Sequence, residues 1–205
     1  MTGSILFVCA ANVCRSPLMH YTFLGTAGHP DWSVSSAGVS ARTGARMCEI
    51  ARSEVRDPRS KSLAEQHHSA LVDEAAIQSD LVIVASRAER AVLAKRDPEL
   101  RSRVFTLPEA VLLGRIVAAE RNGATDFDAS ISDYAQSLDA QRGMLVFPRP
   151  QREHRWFGAA ASSHPLDIPD DHHRRRGPHR ATLKRVRLET EEFTAQLLAA
   201  TGSGE

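Results

Sequence analysis

Hydrophobic positions along the chain come in short blocks whose spacing alternates between that of strands and that of helices. Ile5 to Cys9 (ILFVC) is an unbroken apolar run of strand length, the pattern of a strand buried on both faces of a parallel sheet. It gives way to small and polar residues, and Ser16 followed by Pro17 reads as an N-cap and first helical position, with a helix running to about Thr26 and stopping before Gly28 and Pro30. Trp32 to Ser36 alternates like a strand and closes at Gly38, and Ala45 to Val55 reads as a short helix. Asp80 to Ala85 (DLVIVA) is a second buried strand, followed by an amphipathic helix from about Ala88 to Lys95. Val104 to Leu107 makes a further strand, and Pro108 opens a helix carrying Val111, Leu112, Ile116 and Val117. Leu183, Val186, Thr190, Phe193 and Leu197 form one helical stripe near the C-terminus, placed to pack back on the sheet. Strands alternating with helices predict an α/β fold with a parallel sheet.

From about Asn122 to His164 the periodicity weakens among scattered Gly, Pro, Ser and Arg, and this stretch reads as a partly mobile insertion within one domain spanning residues 1–205. Composition adds bounds. The chain has 205 residues, 42% hydrophobic and 25% charged, enough for one sizeable core. A formal charge of +1 argues against a dedicated nucleic-acid binder, although HHRRRGPHR at His172 to Arg180 makes a local basic patch, read as a solvated loop or as a contact for a phosphorylated or acidic partner. No run approaches the roughly 20 apolar residues that span a bilayer, and the N-terminus lacks a secretory signal, so a soluble cytoplasmic protein without membrane insertion is expected. Three cysteines, Cys9, Cys14 and Cys48, make no disulfide framework and suit a reducing compartment. No His/Cys group shows local zinc spacing, and neither metal nor cofactor is expected.

The stretch FVCAANVCRSP, Phe7 to Pro17, carries the chemistry. A cysteine and an arginine are separated by five residues, between a buried strand and a helix start. In open α/β sheets ligands bind beyond the carboxyl ends of the strands, where this loop must lie. A turn feeding a helix N-terminus points backbone N–H groups inward and makes a nest for a tetrahedral anion. Its field would favour the Cys9 thiolate, a strong nucleophile. Arg15 offers a planar fork for two phosphoryl oxygens. Ser16 is placed to donate toward the sulfur while capping the helix, and Asn12 to take left-handed geometry. Ala10, Ala11, Asn12, Val13, Cys14 and Ser16 are thus the expected substrate-binding residues, with a phosphorylated protein or a small phosphate ester as partner.

With these residues the sequence resembles the low-molecular-weight protein tyrosine phosphatase family, whose signature reads approximately VCxGNxCRSP after the first strand. SVSSAGV at Ser33 to Val39, SDLVIVASRAERAVL at Ser79 to Leu93 and VFTLPEA resemble the family's later strands and helices, so that Ile5 to about Ala119 and Leu166 to about Leu198 are covered in order. The resemblance implies a four-stranded parallel sheet with helices on both faces and a cysteine-dependent phosphatase working through a phosphocysteine, with phosphotyrosine as substrate. It also implies an aspartate on a late loop as general acid. PLDIPDDHH, Pro165 to His173, stands in that place, with Asp170 the first choice and Asp171 and Asp167 the second. Cys14 resembles the second loop cysteine that can trap an oxidised nucleophile as a disulfide, with loop packing as the other reading. Cys48, on a predicted helix, reads as core, and His67 and His68 lie near the family's loop-supporting histidine.

Three departures bear on specificity. Ala11 replaces the loop glycine and threatens strain, Ala10 is smaller than the usual bulky residue, and His172 and His173 stand where pocket-walling tyrosines are usual. Two other readings stay open on the same loop: an arsenate reductase drawing electrons from Cys14, Cys48 or an external thiol, and a phosphate-sensing or partner-binding protein without turnover.

Overall fold

The computed structural model describes residues 3–120, 129–147, 164–172 and 176–202. Four strands, β1 (Ser4–Cys9), β2 (Ser33–Gly38), β3 (Leu81–Val84) and β4 (Val104–Thr106), form a parallel sheet in the order β2-β1-β3-β4. β1 is central, paired along Ser4–Cys9 with β2 and along Ile5–Val8 with β3. That position explains its unbroken apolar run. Successive side chains alternate between faces, so Ile5, Phe7 and Cys9 enter one core while Leu6 and Val8 enter the other.

The helices are α1 (Arg15–Thr26), α2 (Glu49–Glu54), α3 (Pro58–Glu65), α4 (Arg87–Arg96), α5 (Leu107–Glu120), α6 (Ile131–Ala140) and α7 (Arg176–Thr201). On the larger face α1, α5 and α7 meet the sheet, and Phe7 of β1, Phe23 of α1 and Phe193 of α7 touch with ring centroids 5.6 to 6.5 Å apart. Each of these fully buried rings contributes about 1.5–3 kcal/mol by leaving water. The other face is covered by Leu93 of α4 and by Ile77 and Leu100 of two 3-10 turns. The α/β parallel sheet with helices on both faces follows the expected architecture.

The differences from expectation lie where local pattern is weak. α3 is opened by Asp57, whose carboxylate accepts from Ser60 N–H at 2.6 Å, and by Pro58 behind it, yet it buries only Ser60 and Ala64. α6 lies inside the stretch 122–164 read as an insertion without periodicity. A capping box of Ser130 and Asp133 starts it, and Ile131, Tyr134, Ala135 and Leu138 bury one face in the main core. Residues 121–128 and 148–163 of that stretch lie outside the described residues. The helix expected over 45–55 is formed only over Glu49–Glu54, with Cys48 ahead of it. Among the described residues no helix is long and apolar enough to cross a membrane.

Candidate active site

The site lies at the carboxyl end of the sheet, where β1 ends in Cys9 and β2 in Gly38. Residues 10–14 turn from β1 into α1, and surrounding chain holds the carbonyls of Cys9, Ala10, Asn12 and Val13. Cys9 O accepts from Val39 N–H at 3.0 Å, Ala10 O from Ser40 N–H at 2.9 Å, and Val13 O from Cys48 N–H at 2.8 Å. Asn12 O accepts from His67 Nε2 at 3.0 Å. Because a trans peptide sends its N–H opposite its carbonyl, these bonds turn the N–H groups of Ala11, Val13 and Cys14 the other way, into the curl of the loop.

Cys9 is buried, and its sulfur takes two donors: the Ser16 hydroxyl at 3.1 Å and Asn12 N–H at 3.3 Å. Ser16 does not cap α1. The helix begins at Arg15 after Cys14, with no side-chain cap, and the Ser16 hydroxyl points instead at the sulfur and at Ala37 O, 3.2 Å away. Asn12 adopts φ 53°, which its side chain holds in place: Nδ2 donates to Ser16 Oγ and to Ser36 Oγ at 3.0 Å each, and Oδ1 accepts from Ala70 N–H at 2.9 Å. Asn12, not Ala11, is the loop residue with positive φ, so alanine at 11 carries no left-handed strain. His67 is the loop-supporting histidine, bonded to Asn12 O through Nε2 and to Tyr21 OH through Nδ1 at 3.2 Å, whereas His68 is exposed. Burial lowers its affinity for a second proton.

Gly38 makes this packing possible. A Cβ there would lie 2.6 Å from Ala10 O and 2.9 Å from Asn12 N, both backbone atoms of the loop.

Arg15 is buried at the start of α1 and gathers the late loop. Its Nη1 donates to Ile168 O at 3.1 Å and its Nη2 to Asp170 Oδ2 at 2.6 Å, with Glu89 Oε1 3.5 Å from the same nitrogen. Leu166 and Ile168 anchor that loop in the interior, and Ile168 N–H donates to Ala85 O beyond β3 at 2.9 Å. The three aspartates have different surroundings. Asp167 is paired with Arg87 at 3.0 Å, and Asp171 is buried and accepts from the Thr182 hydroxyl at 2.6 Å. Asp170, 47% exposed, faces Arg15. Glu89 carries no sequence signal for this role because Ser86-x-x-Glu89 is a local helix-start pattern; the Ser86 hydroxyl does bond to Glu89, whose other oxygen turns to Arg15.

Against this loop, the sequence model of the low molecular weight phosphotyrosine protein phosphatases matches residues 4–114. The chain belongs to that family. It is 30% identical over 158 residues to the low molecular weight protein-tyrosine-phosphatase Wzb of Salmonella typhi, covering 70% of this chain and 99% of that one. A protein-arginine-phosphatase of Bacillus subtilis is 29% identical over 144 residues, covering 69% and 91%. Among solved structures the fold is shared with the YwlE arginine phosphatase of Geobacillus stearothermophilus, with a TM-score of 0.59 at 19% identity over 99% of this chain and 97% of that one. It is also shared with the Erwinia amylovora tyrosine phosphatase AmsI, with a TM-score of 0.55 at 17% identity over 97% and 92%. As a member of this phosphatase family the chain is a cysteine-dependent phosphatase, a hydrolase.

Several expected features change in the structure. Cys48 packs half-buried against the main core rather than inside it, beside Cys14, and the two thiols interact. Hydrogen bonding from Cys14, and from the N–H groups of Ala51 and Ile50, draws the Cys48 thiol well below its usual range, while the bond to Cys48 and burial push Cys14 up. All three cysteines are free. The basic run is not one solvated loop: Arg176 to Arg180 belong to α7, His172 lies 3.0 Å from Cys14 Sγ, and His179 is buried against Cys48. His173, the other expected pocket residue, lies outside the described residues.

Proposed function

We propose that the chain hydrolyses phosphotyrosyl side chains of proteins by two in-line displacements at phosphorus. Cys9 Sγ attacks phosphorus, the phenolic oxygen leaves with a proton from Asp170, and a phosphocysteine forms. Arg15 and the N–H groups of residues 10–14 hold the equatorial oxygens, and Ser16 steadies the sulfur as it departs in the second step. Water then attacks phosphorus, its proton passes to the Asp170 carboxylate, the S–P bond breaks, and inorganic phosphate leaves with the thiolate restored. The observation that carries this reading is the meeting of Arg15, six residues after the nucleophile, with Asp170 at 2.6 Å.

Tyrosine as the target is supported by the family and by the name of the Salmonella relative. Phosphoarginine is the second reading, favoured by a relative of nearly equal identity that is named a protein-arginine-phosphatase. The deciding experiment measures phosphate release from matched phosphotyrosyl and phosphoarginyl peptides, with the wild type and with Cys9→Ser. Faster release from the tyrosyl peptide, abolished by Cys9→Ser, is expected. Preference for the arginyl peptide would overturn the substrate, and turnover surviving Cys9→Ser would overturn the nucleophile.

A further inference from the structure

Four side chains from four separate segments meet on the flank of the phosphate loop. Cys14 precedes α1, Cys48 precedes α2, His172 lies in the late loop two residues after Asp170, and His179 lies in the first turns of α7. Cys14 Sγ is 3.0 Å from His172 Nδ1 and Cys48 Sγ is 3.4 Å from His179 Nε2. The two imidazoles meet edge to face with centroids 5.5 Å apart, and all four donor atoms lie within 4.8 Å of one another. Cys14 and His179 are buried, Cys48 is half-buried and His172 is exposed.

We propose that Cys14, Cys48, His172 and His179 form a tetrahedral zinc site. Zinc with two sulfur and two nitrogen ligands places its donors about 3.3–3.8 Å apart, given Zn–S near 2.3 Å and Zn–N near 2.0–2.1 Å. Of the two close contacts, 3.4 Å falls within that range and 3.0 Å just below it, and a separation of 4.8 Å closes with about 1 Å of side-chain movement. Two thiolates and two neutral imidazoles balance the charge of Zn²⁺, with both thiol protons released to solvent. Soft sulfur with imidazole suits zinc and not magnesium or calcium, which take oxygen. No local motif announces the site, because each ligand comes from a different segment.

The location gives the metal a structural consequence. Cys14 adjoins Arg15, and His172 adjoins the segment carrying Asp170, so zinc would tie the phosphate loop, the late loop, α2 and α7 at one point. The inference does not rest on the phosphatase reading.

The chain has only three cysteines, which makes the test decisive. In the full chain carrying Cys9→Ser, a cobalt(II) complex with two thiolate ligands can be built only from Cys14 and Cys48. The reduced Cys9→Ser chain is titrated with cobalt(II), recording sulfur-to-cobalt charge transfer and tetrahedral d–d bands, and then with zinc in competition with a chromophoric chelator. One equivalent with a two-thiolate tetrahedral spectrum, displaced by zinc, is expected. Cys48→Ser and His179→Gln should each weaken zinc binding about 100-fold or more and abolish the zinc-induced rise in Tm, with circular dichroism checking that each variant folds. Three results would overturn the proposal: loss of zinc binding on Cys9→Ser with retention in Cys48→Ser, an octahedral spectrum without thiolate charge transfer, or a Cys14–Cys48 disulfide in a chain that takes up no zinc after reduction.

Discussion

Arg15 Nη2 lies 2.6 Å from Asp170 Oδ2 across 155 positions of sequence, and the neighbouring Nη1 donates to Ile168 O two residues earlier in the same loop. The guanidinium proposed to hold the phosphoryl oxygens is therefore also the group that fixes the loop carrying the proposed acid. Glu89 completes the arrangement from α4, giving the buried cation a second carboxylate.

Replacing Arg15 by Lys keeps the charge but loses the fork that reaches Ile168 O and Asp170 together. Turnover of an aryl phosphate should fall about 100-fold or more. Because the acid is then no longer held, adding Asp170→Asn to Arg15→Lys should cost less than it does in the wild type. A double-mutant cycle on kcat/KM checks this, and strictly additive losses would show that the two residues act separately.

The three aspartates of the late loop are separable by their surroundings. Asp170→Asn should lower kcat about 100-fold or more on a substrate with a poor leaving group, and far less on one whose leaving oxygen needs no proton. Asp167→Asn removes a partly exposed pair with Arg87 and should cost about 1 kcal/mol of stability or less, without changing the leaving-group dependence. Asp171→Asn weakens its bond with the Thr182 hydroxyl and should lower Tm before it alters chemistry. Leaving-group series for the three variants distinguish these outcomes.

The legible parts of this molecule are those written within a few neighbouring residues. The β1 run, the five residues between Cys9 and Arg15, and the stripe of α7 are local patterns. Of the two roles expected of Ser16, the bond to Cys9 Sγ forms and the cap does not, because the helix begins one residue earlier at Arg15. α6 is hidden because its start, Ser130 and Asp133, is flanked by no strong pattern, although its buried face is clear once Tyr134 and Leu138 are seen against the core. Glu89 at Arg15, His67 at Asn12 O and the convergence of Cys48 with Cys14 depend on chain segments meeting in space, which periodicity cannot convey.

Gly38 is a test of how closely β2 supports the loop. Alanine there places its methyl 2.6 Å from Ala10 O, and since both atoms belong to the backbone framework the loop must move. Gly38→Ala should cost about 1–3 kcal/mol of stability in urea unfolding and lower kcat/KM about tenfold or more, because displaced N–H groups hold the phosphoryl oxygens less well. A normal kcat/KM in a destabilised variant would separate packing from catalysis.

Asn12 combines a backbone requirement with a side-chain one. Asn12→Gly keeps the φ of 53° without strain but leaves Ala70 N–H without its acceptor, and Asn12→Ala suffers the same loss plus a Cβ in left-handed geometry. Both should destabilise by about 1–3 kcal/mol through the lost bonds, with alanine about 1 kcal/mol worse than glycine. Denaturant midpoints of the two variants measure the difference directly.

His20 of α1 and His67 behind the loop predict how stability changes with pH. Burial, with the neighbouring His67, lowers the His20 pKa from 6.5 to about 4, and burial likewise lowers that of His67, where His68 adds to the effect. Both groups are thus neutral in the folded chain where the unfolded chain begins to bind protons. Their contribution is fully present above pH 6.5 and is lost as the pH falls toward about 4, since the unfolded state binds more protons throughout that window. Tm should therefore drop from about pH 7 to about pH 4.5, and His20→Gln should flatten the slope most, because its shift is the larger one. His67→Gln should flatten it less while also lowering Tm at neutral pH, since the imidazole links Tyr21 OH to Asn12 O. A wild-type slope unchanged in both variants would assign the acid sensitivity to carboxylates instead.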